Sequence, residues 1–199
     1  MGESESVEAV PSPEWQRLIR DYLDHLTVER GLSANTVAAY RRDLCRYARF
    51  QTAGGTSAPA QVHPSDLVRY QQTLTAGDPP HRPLAPASVA RAMVAVRNLH
   101  TFAQAEGITS DNPGVDVHPP RPGKRLPRAL DVTQVQRLLD GIERDTPVGL
   151  RDAVLLELLY GTGARISEVV DLDVDDLTRV LREPDAGLRL VGKGDKERL

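Results

Sequence analysis

Five prolines (Pro113, Pro119, Pro120, Pro122 and Pro127) fall between positions 108 and 128. No helix or sheet ladder runs through such a segment, because each proline lacks an amide donor and holds its own φ near −65°. The 199 residues are therefore organised on either side of it. The expected arrangement is an acidic flexible tail over 1–11, a helical domain over 12–110, a Pro-rich basic linker over 111–128 and a separate unit over 129–199. Arg121, Lys124, Arg125 and Arg128 give the linker its charge. A stiff, positive segment of this kind either lies along a phosphate backbone or acts as a solvated spacer, and composition alone leaves both open.

The front half reads as helices throughout. Ser12 can cap, Pro13 suits the first helical position and Gly31 can terminate, and between them Trp15, Leu18, Ile19, Tyr22, Leu23 and Leu26 form one apolar stripe. A second helix is expected from about Ser33 to Phe50 with Val37, Tyr40, Leu44 and Tyr47 inward. A third runs around Pro64–Thr75, and a fourth from about Pro86 to Glu106 buries Val89, Met93, Val96 and Leu99. Nothing here alternates with period 2, so the expectation is a small four-helix domain.

Beyond the linker the pattern becomes mixed. Asp131 or Thr133 opens a helix through Leu139, and a strongly apolar helix follows from about Pro147 to Tyr160. Gly161–Thr162–Gly163 reads as a turn into another helix ending near Asp171, and Asp173–Leu177 leads to a polar loop. Leu188, Leu190 and Val191 suggest the first strand, Gly192–Asp195 a tight turn, and Lys196–Leu199 the start of a returning strand. The chain as a whole is expected to be mainly α, with a mixed α/β second part.

Several functions are disfavoured by composition. No apolar run reaches the roughly 18 residues of a membrane helix, and the start carries Glu3, Glu5 and Glu8 rather than a basic leader. The lone Cys45 can form neither an internal disulfide nor a Cys-based zinc site, which favours a cytoplasmic protein without metal. The five histidines show no i, i+4 metal spacing. Gly187–Gly194 nearly matches a phosphate-binding loop, but Gly194 stands where the magnesium-binding hydroxyl belongs, so no nucleotide is expected.

Net charge is −3, yet its distribution is uneven: residues 11–128 carry 15 basic against 10 acidic groups, and residues 129–199 carry 10 against 15. Within the basic half, Arg42, Arg46 and Arg49 share one side of the second helix with Arg41 at its edge, opposed only by Asp43. Such a face can enter a major groove or follow phosphates, and it can equally be a solvated surface.

Two strings are more specific. Gly161-Thr-Gly-Ala-Arg-Ile-Ser-Glu168 and Gly192-Lys-Gly-Asp-Lys-Glu-Arg198 follow one another across an acidic Asp-Leu-Asp-Val-Asp-Asp stretch. Together they resemble the tyrosine recombinases of the phage integrase family, Xer type. Arg30–Thr36, Tyr40–Asp43 and the stretch from Asn112-Pro113 to Leu126-Pro127 are similar to that family's core-binding domain and linker.

The resemblance implies a SAM-like core-binding domain joined to the first part of a recombinase catalytic domain. Its chemistry would be DNA strand cleavage and rejoining through a 3′-phosphotyrosyl link, without metal or nucleotide. It implies duplex DNA as partner, with a second Xer-type recombinase in a four-protomer synapse and no membrane. Arg165 matches the family's first catalytic arginine and Lys193 the lysine that protonates the leaving 5′-oxygen. Glu168, one helical turn after Arg165, would have a supporting role. Arg41, Arg42, Arg46, Arg49, Arg121, Lys124 and Arg125 are the expected DNA contacts.

The His-x-x-Arg pair and the nucleophilic tyrosine that the family places after the lysine are missing from these residues. Tyr22, Tyr40, Tyr47, Tyr70 and Tyr160 all precede Lys193. The expectation is therefore a C-terminally truncated, inactive recombinase, the alternative being a stand-alone DNA-binding or recombinase-associating module. In either case limited proteolysis should cut first within 108–128, and an early cut inside Trp15–Leu26 would contradict that organisation.

Overall fold

The structure, a computed structural model, describes residues 10–77, 82–119, 129–183, 187–192 and 196–199. Arg121, Lys124, Arg125, Lys193 and most of the acidic tail lie outside the described residues. The fold is mainly helical and divides into two compact units, Met1–Lys124 and Arg125–Leu199.

In the first unit α1 (Pro13–Val28), α2 (Ala34–Ala53), α3 (Pro64–Ala76) and α4 (Pro86–Ala105) enclose one core. Each start has a local cause. Ser12 Oγ accepts the Trp15 amide at 3.3 Å, Ser33 Oγ accepts that of Thr36 at 3.4 Å, and proline occupies the first position of α1, α3 and α4. After α1, Gly31 at φ 58° lets the Leu32 amide reach back to the Leu26 carbonyl at 3.1 Å. The stripe from Trp15 to Leu26 is buried as the periodicity requires, with α1 packing on α2 and α4 and α3 closing against both.

The core centre is aromatic. The Trp15 ring stands edge-on to Tyr47 (centroids 5.4 Å) and His100 (6.1 Å), and its indole N–H donates to the Thr56 carbonyl at 3.0 Å. The Tyr47 hydroxyl is 2.8 Å from His100 Nε2, while His100 Nδ1 has no hydrogen-bond partner.

The second unit comprises α5 (Val132–Asp140), α6 (Pro147–Thr162), α7 (Ile166–Val170), α8 (Val174–Arg182) and an antiparallel pair, β1 (Leu190–Gly192) and β2 (Lys196–Arg198). The strand register sets Leu190 opposite Arg198 and Gly192 opposite Lys196. A reciprocal capping box starts α5: the Gln134 amide donates to Asp131 Oδ1 at 2.8 Å and the Asp131 amide to Gln134 Oε1 at 3.0 Å.

Among the boundaries that differ from the sequence reading, two are informative. Gly161 and Thr162 still belong to α6, and only Gly163, left-handed at φ 61°, turns the chain. The expected polar loop after Leu177 is instead the continuation of α8 to Arg182. Asp175 and Asp176 in its first turn and Arg179 and Arg182 in its last oppose the helix dipole favourably, which supports a helix with no buried residue.

Burial holds His100 neutral by pushing its pKa down to about 4 from 6.5. The unfolded chain therefore binds a proton that the folded one refuses. Stability is complete above about pH 6.5 and falls as pH drops toward 4, by about 3 kcal/mol at most. Denaturant melts followed by the fluorescence of Trp15, the sole tryptophan, should show this slope. His100→Leu should be less stable at neutral pH and should lose the slope; an unchanged slope would place its cause elsewhere.

Candidate functional site

Two groups of side chains carry the candidate chemistry, one in each unit. On α2, Arg41 and Arg42 are exposed and Arg46 and Arg49 half-buried. Asp43 departs from the expectation that it shares the solvent-facing side with the arginines, for it is only 3% exposed. Positions 40, 43, 44 and 47 form an i, i+3, i+4, i+7 stripe, so Asp43 lies on the inward face with Leu44 and Tyr47. A carboxylate there requires a cation. Arg91 of α4 supplies one, its Nε donating to Asp43 Oδ2 at 3.1 Å, and Arg46 Nη1 lies 3.9 Å from Oδ1. The carboxylate thus draws guanidinium groups of α2 and α4 toward one point. The sequence reading missed Arg91. The inward Asp43 was the available signal that a partner exists, although it does not say which helix provides it.

In the second unit the site is built around Glu168. Gly163 ends α6, and Arg165 becomes the N-cap of α7 with extended backbone (φ −78°, ψ 150°). Three residues on, Glu168 folds back on it: Oε2 accepts the Arg165 backbone amide at 2.8 Å and Oε1 accepts Arg165 Nη1 at 2.8 Å. Arg198 of β2 completes the set, with Nη2 donating to Glu168 Oε2 at 2.6 Å and, at 3.4 Å, to the Gly163 carbonyl. The Glu168 side chain is 2% exposed, while those of Arg165 and Arg198 are 66% and 44% exposed.

One buried anion therefore holds two guanidinium groups whose remaining surface faces solvent. The Arg165 backbone amide, ahead of the two guanidinium groups and against the opposing effect of burial, holds the Glu168 carboxyl below its usual range. Such a cluster, with one negative and two positive charges, is suited to an incoming anion. A planar guanidinium matches two oxygens of a phosphate through parallel hydrogen bonds. Arg165 and Glu168 are thus brought together, and Arg198, quoted in the sequence motif without a role, joins them. Beside them a cavity is lined by Glu168, Asp171, Asp176, Arg189 and Val191. Among the described residues no group of His, Cys, Asp or Glu could hold a metal ion, and no helix is long and apolar enough to cross a membrane.

The Glu168 cap has a defined pH signature. Free glutamate takes up a proton near pH 4.3, whereas the folded carboxylate stays ionised lower. Its stabilisation is therefore complete above that value and disappears as pH falls through the folded pKa. Amide exchange at Arg165 should stay protected down to the acid end of that range and then open, and Glu168→Gln should remove this pH dependence. Opening well above the ordinary carboxylate range would contradict the arrangement.

Residues 19–107 match the phage integrase N-terminal SAM-like domain and residues 128–198 the phage integrase family. The chain is 44% identical over 187 residues to tyrosine recombinase XerD of Mycobacterium tuberculosis (strain H37Rv), covering 91% of this chain and 59% of that protein. Tyrosine recombinase XerD of Corynebacterium glutamicum is 42% identical over 185 residues, covering 92% of this chain and 60% of the relative. Tyrosine recombinase XerC of Herpetosiphon aurantiacus is 35% identical over 184 residues, covering 92% and 57%. The chain thus spans about three fifths of the length of these relatives. In fold it is similar to the crystal structure of a lambda integrase dimer bound to a COC′ core site, with a TM-score of 0.67, 15% identity, and coverage of 96% of this chain and 49% of that one.

Proposed function

Because this chain belongs to the phage integrase family and is similar to its Xer-type tyrosine recombinases, we propose that it takes part in site-specific DNA recombination, its first unit binding duplex DNA and its second holding part of the strand-exchange site. The observation that carries this reading is the Arg165 guanidinium, fixed on one side by a buried carboxylate and open on the other. In that role Arg165 binds the non-bridging oxygens of the scissile phosphate and stabilises the charge that develops as the phosphorus becomes five-coordinate. Glu168 supports it by orienting the fork. Lys193, read by resemblance, protonates the departing 5′-oxygen.

A tyrosine nucleophile would complete the reaction. Tyr22, Tyr47 and Tyr70 are buried in the first unit, where desolvation raises their pKa and keeps their hydroxyls protonated. None is suited to attack. The proposed partner is duplex DNA, contacted through Arg41, Arg42, Arg46 and Arg49 and through the linker residues Arg121, Lys124 and Arg125, with a second recombinase protomer in a synapse.

The test uses duplex affinity as a function of salt. Binding should weaken steeply between low and physiological salt, and replacing Arg42, Arg46 and Arg49 by Ala should flatten the slope of log affinity against log salt by about 2 to 3, roughly 0.9 for each phosphate that is no longer neutralised. Absence of binding at low salt, or a triple variant equal to its parent, would leave the arginines as a solvated face. On a nicked suicide duplex, residues 1–199 alone should form no covalent adduct, since stabilising and protonating groups cannot replace a nucleophile. An adduct would show that one of the five tyrosines attacks after all.

A further inference from the structure

The Glu168 carboxylate receives three donors, one of which belongs to neither α7 nor the turn before it. Arg198 reaches it from β2, the second strand of the hairpin, and the same Nη2 also lies 3.4 Å from the carbonyl of Gly163, two residues before Arg165. One guanidinium therefore bridges the strand pair to both ends of the segment 163–168. Leu190, the register partner of Arg198, is buried, and β1 packs on α7, so the bridge stands on an anchored strand. By sequence, the residues joining the two strands include Lys193.

The terminal torsion of a glutamate side chain is soft and roughly two-fold, so two donors from the single residue Arg165, its amide and its side chain, leave the carboxylate plane free to rock. A third donor from another element removes that freedom. It leaves Oε1 aimed at Arg165 Nη1 and Oε2 shared between the Arg165 amide and Arg198. A separate ion pair, Arg189 with Glu197, ties the residue before β1 to β2.

We propose that Arg198 is a positioning residue that acts through Glu168: it locks the carboxylate that aims the Arg165 guanidinium and holds β2 against the segment that bears it. The proposal rests on the reading of Arg165 as a phosphate-binding arginine. It assigns Arg198 no phosphate contact of its own. Substitution at 198 therefore acts on DNA binding only where Arg165 is present.

A double-variant cycle on the full chain tests this. The affinity for a mixed-sequence duplex at low salt is measured for the parent, Arg165→Ala, Arg198→Gln and the combination, together with amide exchange over 147–182 and the NMR signal of the Arg165 Nε–H. Each single variant should weaken binding several-fold, and the combination no further than Arg165→Ala alone. In Arg198→Gln the Arg165 signal should move toward that of a free arginine while α6 and α8 keep their protection. Additive losses would mean that Arg198 touches DNA itself, and an unmoved Arg165 signal would mean that it aims nothing; either overturns the proposal. Loss of protection throughout 147–182 would make Arg198 a fold residue and overturn it equally. Parental affinity in Arg198→Gln alone sinks only this inference, whereas parental affinity in Arg165→Ala sinks the reading of Arg165 and the inference with it.

Discussion

The first unit depends on the burial of a single indole. Trp15 is removed from solvent where α1 meets α2 and α4, edge-on to Tyr47 and His100, with its one polar atom satisfied by the Thr56 carbonyl. Edge-to-face rings are favoured over parallel stacking because the positive rim of one meets the negative face of the other. Three helices thereby share one orientation constraint. Tyr47 lies one turn beyond Asp43 on α2, and Arg91 precedes His100 on α4, so the packing that seats Tyr47 against His100 also sets the helix register in which Arg91 reaches Asp43. A hydrogen-bonded aromatic contact in the core thus decides which cation reaches the buried Asp43 carboxylate.

The second unit is organised by different forces. Its buried apolar residues among those described are Leu139, Ala153, Val169 and Leu190, and α6, although apolar in sequence, leaves Val148, Leu150, Val154 and Tyr160 exposed. Order around Arg165 comes instead from charge-assisted hydrogen bonds to one buried carboxylate. A buried charge is costly when unpaired, so Glu168 holds its partners in place as firmly as they hold it. The geometry concentrates constraint within a few residues, which suits a site that must present a guanidinium without reorganising when an anion arrives.

Most helices were legible because their causes are local. The stripe from Trp15 to Leu26, the Ser12 and Ser33 caps, and the proline starts of α3, α4 and α6 involve residues within a turn or two of one another. The capping pair of Arg165 and Glu168 is equally local, at i and i+3. The readings that changed concern polar positions. Asp43 was counted with the arginines beside it, although its spacing to Tyr40, Leu44 and Tyr47 puts it on the inward stripe. The acidic start and basic end of α8 support a helix that buries nothing, so no apolar period announced it.

By itself the sequence determined where most helices begin, which faces are apolar, and that Glu168 follows Arg165 by one helical turn, because backbone hydrogen bonding and a 3.6-residue period act over a few residues. Tertiary structure alone decided which distant cation answers each buried anion. Arg91 meets Asp43 across 48 positions and Arg198 meets Glu168 across 30. An uncompensated buried charge demands a partner but carries no address, and only the packing of α2 against α4, and of β1 against α7, brings the partner within reach.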